Sequence, residues 1–179
     1  MESYKNYFEL FSLPVDFDVN SSDLNANFRQ LQKVVHPDKF VKGGDQERLR
    51  SVQQAGLINE AYDMLKNPVQ RARYMLELNG MSLDKEDNNG LSPGFLMQQI
   101  ELREQIDEAK NNKDTDTLEQ FSEQINQLLN KRLGLISELF RQQPPGLKEI
   151  VDNVQQAQFF VRLQESVNDT IVDIESSED

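Results

Sequence analysis

His36 is the only histidine in the chain, and Pro37, Asp38 and Lys39 follow it directly. An imidazole beside a carboxylate is a common acid–base pair near neutral pH. The rest of such a site is missing here: no serine or threonine adjoins the pair, and proline between His36 and Asp38 fixes the backbone. No cysteine occurs, which removes nucleophilic thiol chemistry, disulfides and the thiolate ligands of iron–sulfur clusters, and a lone histidine leaves few zinc sites. A phosphate-cradling G-x-x-x-x-G-K loop is also absent, so the chain is not expected to hydrolyse ATP itself. The expectation is a binding protein without catalytic residues, metal or cofactor.

The elements around His36 are helical. Asn20 in "DVNSSDL" reads as a helix cap, and Leu24, Phe28, Leu31 and Val35 then recur at intervals of four, three and four, one apolar stripe. Arg29 and Lys33 share a face turned away from it. Pro37 ends this helix, because the residue before a proline is pushed out of the helical region. After a loop closing in "GGD", a second helix is expected from about Gln46 to Lys66, with Leu49, Val52, Ile58, Ala61, Tyr62 and Leu65 on its inner face. "KNP" stops it and a shorter helix follows. Two amphipathic helices joined in this way should lie antiparallel, with His36, Pro37 and Asp38 at the exposed tip.

Charge is distributed unevenly. The net charge is -12, yet residues 24–50 hold six basic and three acidic side chains. A basic island on an acidic protein points to an acidic protein partner; an acidic bulk opposes approach to nucleic acid. No apolar run approaches the roughly 20 residues of a membrane span, and "MESYKNYFEL" does not resemble a secretory signal, so a cytoplasmic protein without membrane partners is expected.

Residues 79–92, rich in turn formers and charge, read as a linker between a domain at 1–78 and a second at 93–174, with an acidic tail at 175–179. Ser92 before Pro93 reads as a helix start. Counting about 100° per residue from Phe95, the side chains of Leu102, Ile106 and Ala109 fall within about 40° of it, a core stripe. Leu96, Ile100 and Met97 fall at about 100°, 140° and 200°, beside Glu104 and Glu101. A helix from about Thr115 to Phe140 carries Leu118, Phe121, Ile125, Leu128, Leu135 and Leu139, and a last helix carries Ile150, Val154, Ala157 and Val161. Phe159 lies about 180° from Ile150. Three helices with short connections imply an antiparallel bundle. Leu96, Met97, Ile100 and Phe159 then read as a surplus apolar patch rimmed by Glu101 and Glu104, of the kind that binds a partner.

"YFELFSLP" at 7–14, the basic-faced helix, "HPDKF" at 36–40 and "INEAYDMLKNPVQRARY" at 58–74 occur in the order and spacing of a J domain. With "FLMQQIELREQIDE" at 95–108, the chain from Tyr7 to about Ile174 resembles the HscB-type J-domain co-chaperones of iron–sulfur cluster assembly. It departs from common J domains in Val35, where an aromatic residue usually precedes the histidine, and in Gln30 and Gln32 on a helix often richer in Lys and Arg. The resemblance implies an all-α fold: an N-terminal J domain, built as a helical hairpin with short flanking helices, followed by a C-terminal three-helix bundle. It also implies that His36, Pro37, Asp38 and Lys39, with Arg29 and Lys33, engage an HscA-like DnaK-class chaperone and stimulate its ATPase. Leu96, Met97, Ile100, Glu101 and Glu104 would bind the IscU-like cluster scaffold, together with Phe159 or its neighbour Phe160. The alternative is a J-domain adaptor for a different client of a general chaperone; the glycine/phenylalanine-rich and cysteine-rich zinc segments of general DnaJ proteins are lacking.

Overall fold

The computed structural model describes residues 4–35, 44–83 and 91–177. Every regular element among them is a helix: α1 Tyr7–Leu10, α2 Ser21–Val35, α3 Asp45–Lys66, α4 Pro68–Leu78, α5 Pro93–Asn111, α6 Thr115–Arg141 and α7 Leu147–Ser176. They form two compact units, Met1–Asn79 and Gly80–Asp179. None of these helices is long and apolar enough to cross a membrane.

In the first unit the helix ends are set by side chains that satisfy free backbone donors. The Asn20 side chain accepts from the Ser22 N–H at 2.9 Å at the start of α2. Asn67 serves two helices. Its extended backbone terminates α3, and its side chain accepts from the N–H groups of Val69 and Gln70 at 2.9 and 3.1 Å to start α4, with Pro68 in the first turn. Helices α2 and α3 pair antiparallel. The Phe28 ring stacks on Tyr62 with centroids 4.0 Å apart, the Tyr62 hydroxyl reaches Asn25 Oδ1 at 2.7 Å, and Gln32 donates to Asn59 at 2.7 Å. Leu24, Val35, Ile58, Ala61 and Leu65 are buried between them and the flanking helices.

The inner face expected for α3 needs correction in its first half. Leu49 and Val52 are 59 % and 53 % exposed, whereas Ser51 is buried. The reason is angular: Ser51 precedes Ile58 by seven residues and shares its face, while Leu49, nine residues before Ile58, points about 180° away.

In the second unit α6 and α7 form a long antiparallel pair, 27 and 30 residues, and the 19-residue α5 covers only part of it. Ser92 caps α5 by accepting from the Phe95 N–H at 3.2 Å. The turn into α6 is tight. Lys113 takes a left-handed conformation, φ 52°, and Asp114 caps α6 by accepting from the Thr117 N–H and hydroxyl at 3.0 and 2.7 Å. Those two donors hold the Asp114 carboxyl below the usual carboxylate range. Phe95, Leu102, Ile106 and Ala109 of α5 join Leu118 and Ile125 of α6 and Phe160, Leu163, Val167 and Ile174 of α7 in one core. Leu91, from the stretch read as linker, is buried in that core too. Ile136, Ile150, Val154 and Ala157 are buried where α6 ends and α7 begins.

The first unit is closed by an aromatic and carboxylate contact. The Tyr7 ring stacks on Tyr74 at 4.6 Å, the Tyr7 N–H donates to the Tyr74 hydroxyl at 2.9 Å, and the Tyr7 hydroxyl donates to Glu60 on α3 at 2.9 Å. Burial first, then the bond to Glu60 and its charge, push the Tyr7 phenol up to about 12. A raised folded-state value means that the neutral phenol stabilises the fold fully below its ordinary value near 10, and that this contribution fades as pH climbs through about 12. Denaturant unfolding should therefore show a loss of stability between these two values that Tyr7→Phe, lacking the titrating group, loses less steeply. An identical pH slope in the variant would remove Tyr7 as the origin.

Candidate partner-binding surfaces

Two surfaces, one in each unit, collect the residues singled out by the sequence. In the first unit Arg29 and Lys33 are exposed on α2, opposite the stripe that packs on α3. His36, Pro37, Asp38 and Lys39 lie outside the described residues. The α2–α3 pairing nevertheless sets where the intervening segment begins and ends: it leaves α2 at Val35 and returns at Gly44, the residue before α3. The arrangement can present cations beside that segment, the chemistry suited to an acidic protein surface.

In the second unit α5 has two apolar faces. One enters the core through Phe95, Leu102, Ile106 and Ala109. On the other, Leu96, Met97 and Ile100 are 42 %, 63 % and 56 % exposed, and Glu101 and Glu104 are exposed beside them. Three neighbouring aliphatic side chains in water, edged by carboxylates, form a surface that gains free energy only when a partner covers it.

Phe159 is a correction. It is 7 % exposed, not on the surface, and Phe160 is wholly buried. Phe159 meets Phe95 edge to face at 5.6 Å, Phe160 meets the same ring at 5.7 Å, and the two α7 rings meet each other at 5.5 Å, a mutual cluster that clasps Phe95 to α7. The expectation failed because a single apolar face was assumed for α7. This helix packs against both α6 and α5, so its buried arc is wide and includes positions opposite Ile150. The sequence signal was present in the second half of α7, where Phe160, Leu163, Val167 and Ile174 continue a stripe through Phe159's side of the helix. Arg103 was also missed. Its guanidinium lies over the Phe159 ring, 5.4 Å from the centroid, and the two border a cavity of about 330 Å³ with Arg162 and Ser166.

With this geometry in hand, comparison with known proteins is decisive. Residues 6–74 match the DnaJ domain family, and residues 91–168 match the family described as the HSCB C-terminal oligomerisation domain. The chain is 38 % identical over 164 residues to a co-chaperone protein HscB homolog of Vibrio vulnificus (strain CMCP6), covering 90 % of this chain and 94 % of that one. It belongs to the HscB family, the J-domain co-chaperones of iron–sulfur cluster assembly. Chaperone HscB from Vibrio cholerae superposes with a TM-score of 0.84 at 34 % identity, covering 94 % of this chain and 99 % of that one. Human co-chaperone protein HscB shares the fold, with a TM-score of 0.87 at 23 % identity over 94 % of this chain and 83 % of that one.

Within this HscB-family architecture, burial separates residues that build the bundle from residues that face outward. Phe159→Ala should lower the stability of the second unit by about 3 kcal/mol, as removal of a buried ring does. Leu96→Ala with Met97→Ala should change it by less than about 1 kcal/mol, since both side chains are largely solvated. Denaturant titration followed by circular dichroism measures both. A Phe159→Ala protein as stable as wild type would contradict the clasp.

Proposed function

We propose that this co-chaperone binds an IscU-like scaffold through Leu96, Met97, Ile100, Glu101 and Glu104 and delivers it to an HscA-like DnaK-class chaperone. In this reading His36, Pro37, Asp38 and Lys39, supported by Arg29 and Lys33, engage that chaperone and stimulate its ATPase, so maturation of iron–sulfur proteins is aided without chemistry on this chain. The observation that carries the reading is the exposed aliphatic triad of α5, which its own bundle leaves uncovered while burying the opposite face of the same helix. Phe159, buried against Phe95, is not part of that surface.

The physical roles differ between the two surfaces. The triad supplies non-directional apolar burial, and its carboxylate rim selects a partner with matching cations. Asp38 would accept a charge-assisted bond from a partner arginine, with Pro37 beside it contributing a ring-locked φ, and the basic face of α2 draws an acidic surface inward. Placing both on one chain raises the effective concentration of a bound scaffold near the chaperone.

Steady-state ATPase assays test the first surface: the wild-type chain should accelerate an HscA-like chaperone, and Asp38→Asn should abolish the acceleration while remaining folded. Full stimulation by Asp38→Asn would end the J-domain assignment of that residue. For the second surface, Leu96→Ala with Met97→Ala should weaken scaffold binding by at least about 2 kcal/mol, as loss of central apolar anchors does. Titration calorimetry returning wild-type affinity would refute it.

A further inference from the structure

We infer that Met97 is a site of reversible oxidation: peroxide converts its thioether to a sulfoxide, and the modified side chain turns off the apolar surface of α5. This inference rests on the proposed binding of the scaffold through that surface and adds a redox control to it.

The chain has five methionines and neither cysteine nor tryptophan, so no thiol competes with its thioethers for a mild oxidant. Burial ranks the methionines that the structure describes. Met75 is 5 % exposed, Met64 and Met81 are half-buried, and Met97 is 63 % exposed. A helical side chain leans toward the N-terminus of its helix, over the residues three and four positions before it. For Met97 these are Gly94 and Pro93. Gly94 has no side chain, and a Cβ at that position would meet nothing within 4 Å. The thioether is therefore open, on the side toward which it leans, to a molecule the size of peroxide.

The oxidation balances between sulfur and peroxide alone. The Met97 sulfur attacks one peroxide oxygen, the O–O bond breaks as the S–O bond forms, sulfur is oxidised by two electrons, and the other oxygen takes up the proton and leaves as water. A methionine sulfoxide reductase reverses the step, its thiols closing to a disulfide as the oxygen departs as water. Position on the helix amplifies the change. Met97 falls at about 200°, between Ile100 at about 140° and Glu101 at about 240°. Its helical neighbours Pro93, Gly94, Ile100 and Glu101 offer no side-chain donor, so a sulfoxide oxygen there is satisfied by water. A partner surface that matches the thioether is apolar at that point and strips the water without replacing its hydrogen bonds. Burial that favoured binding then opposes it.

The test oxidises the full chain alone with hydrogen peroxide, removes the peroxide, maps sulfoxide by peptide mass spectrometry and measures affinity for a purified IscU-like scaffold by titration calorimetry. Each protein is compared with its own untreated sample, and circular dichroism verifies folding. Met97 should take up oxygen before Met64, Met75 and Met81. The oxidised wild type should bind about tenfold more weakly, as burial of an unpaired polar group requires, and methionine sulfoxide reductase should restore the affinity. Met97→Leu, whatever its starting affinity, should be unchanged by peroxide, and Met64→Leu with Met81→Leu should lose as much as wild type. Unchanged affinity of a chain carrying sulfoxide at Met97 overturns the inference and leaves the scaffold-binding reading intact. So does oxidation of Met64 or Met81 ahead of Met97, and so does an equal loss in Met97→Leu, which traces the effect to another residue. Failure of the untreated wild type to bind the scaffold removes both readings.

Discussion

The stacking of Phe28 on Tyr62 is the contact that fixes how the two long helices of the first unit pair. Neither α2 nor α3 can bury its apolar stripe alone, and an isolated helix of this length is marginal in water. Pairing resolves both problems. The two helices run antiparallel, the hydrogen bonds from Tyr62 to Asn25 and from Gln32 to Asn59 lock one register, and that register sets which residues of each helix remain outside. Arg29 and Lys33 are outside because Leu24 and Val35 are inside. Leu49 and Val52 are exposed because they lie off the face of α3 that carries Ser51 and Ile58 inward.

The second unit uses the same principle with a different outcome. Helices α6 and α7 satisfy each other along most of their length and need only partial cover from α5. Phe95, clasped by Phe159 and Phe160, anchors α5 in one rotational setting. Once that setting is fixed, Leu96, Met97 and Ile100 cannot turn inward without withdrawing Phe95, Leu102 and Ile106 from the core. An aliphatic surface is thereby kept in water by the burial energy of the opposite face. The residues proposed to bind a partner are largely solvated, and the residues that fold the unit are buried away from that surface.

Helix positions and types were legible because they depend on neighbours in sequence. The cap at Asn20, the shared stop and start at Asn67 and Pro68, and the Ser92–Pro93 entry to α5 are local hydrogen-bond arithmetic. The 3.6-residue period exposed the α2 stripe and the two faces of α5, and the triad Leu96, Met97 and Ile100 followed from the same count. Errors arose where burial depended on a second neighbour. Phe159 was placed outside because its distance from Ile150 was judged against one packing face, while α7 has two. Leu49 and Val52 were placed inside because all aliphatics of α3 were assigned to a single face, whereas Ser51 holds the inward position of that turn.

Sequence alone determined that this chain is helical, that it lacks the side chains for thiol chemistry, and which surfaces of α2 and α5 differ in chemistry, because composition and short-range periodicity carry that information. Tertiary structure alone decided which apolar residues are surplus. Hydrophobicity records a tendency to leave water, and only the arrangement of other helices determines whether a given side chain can do so. Leu49 and Phe159, both apolar and both on amphipathic helices, reached opposite fates for that reason.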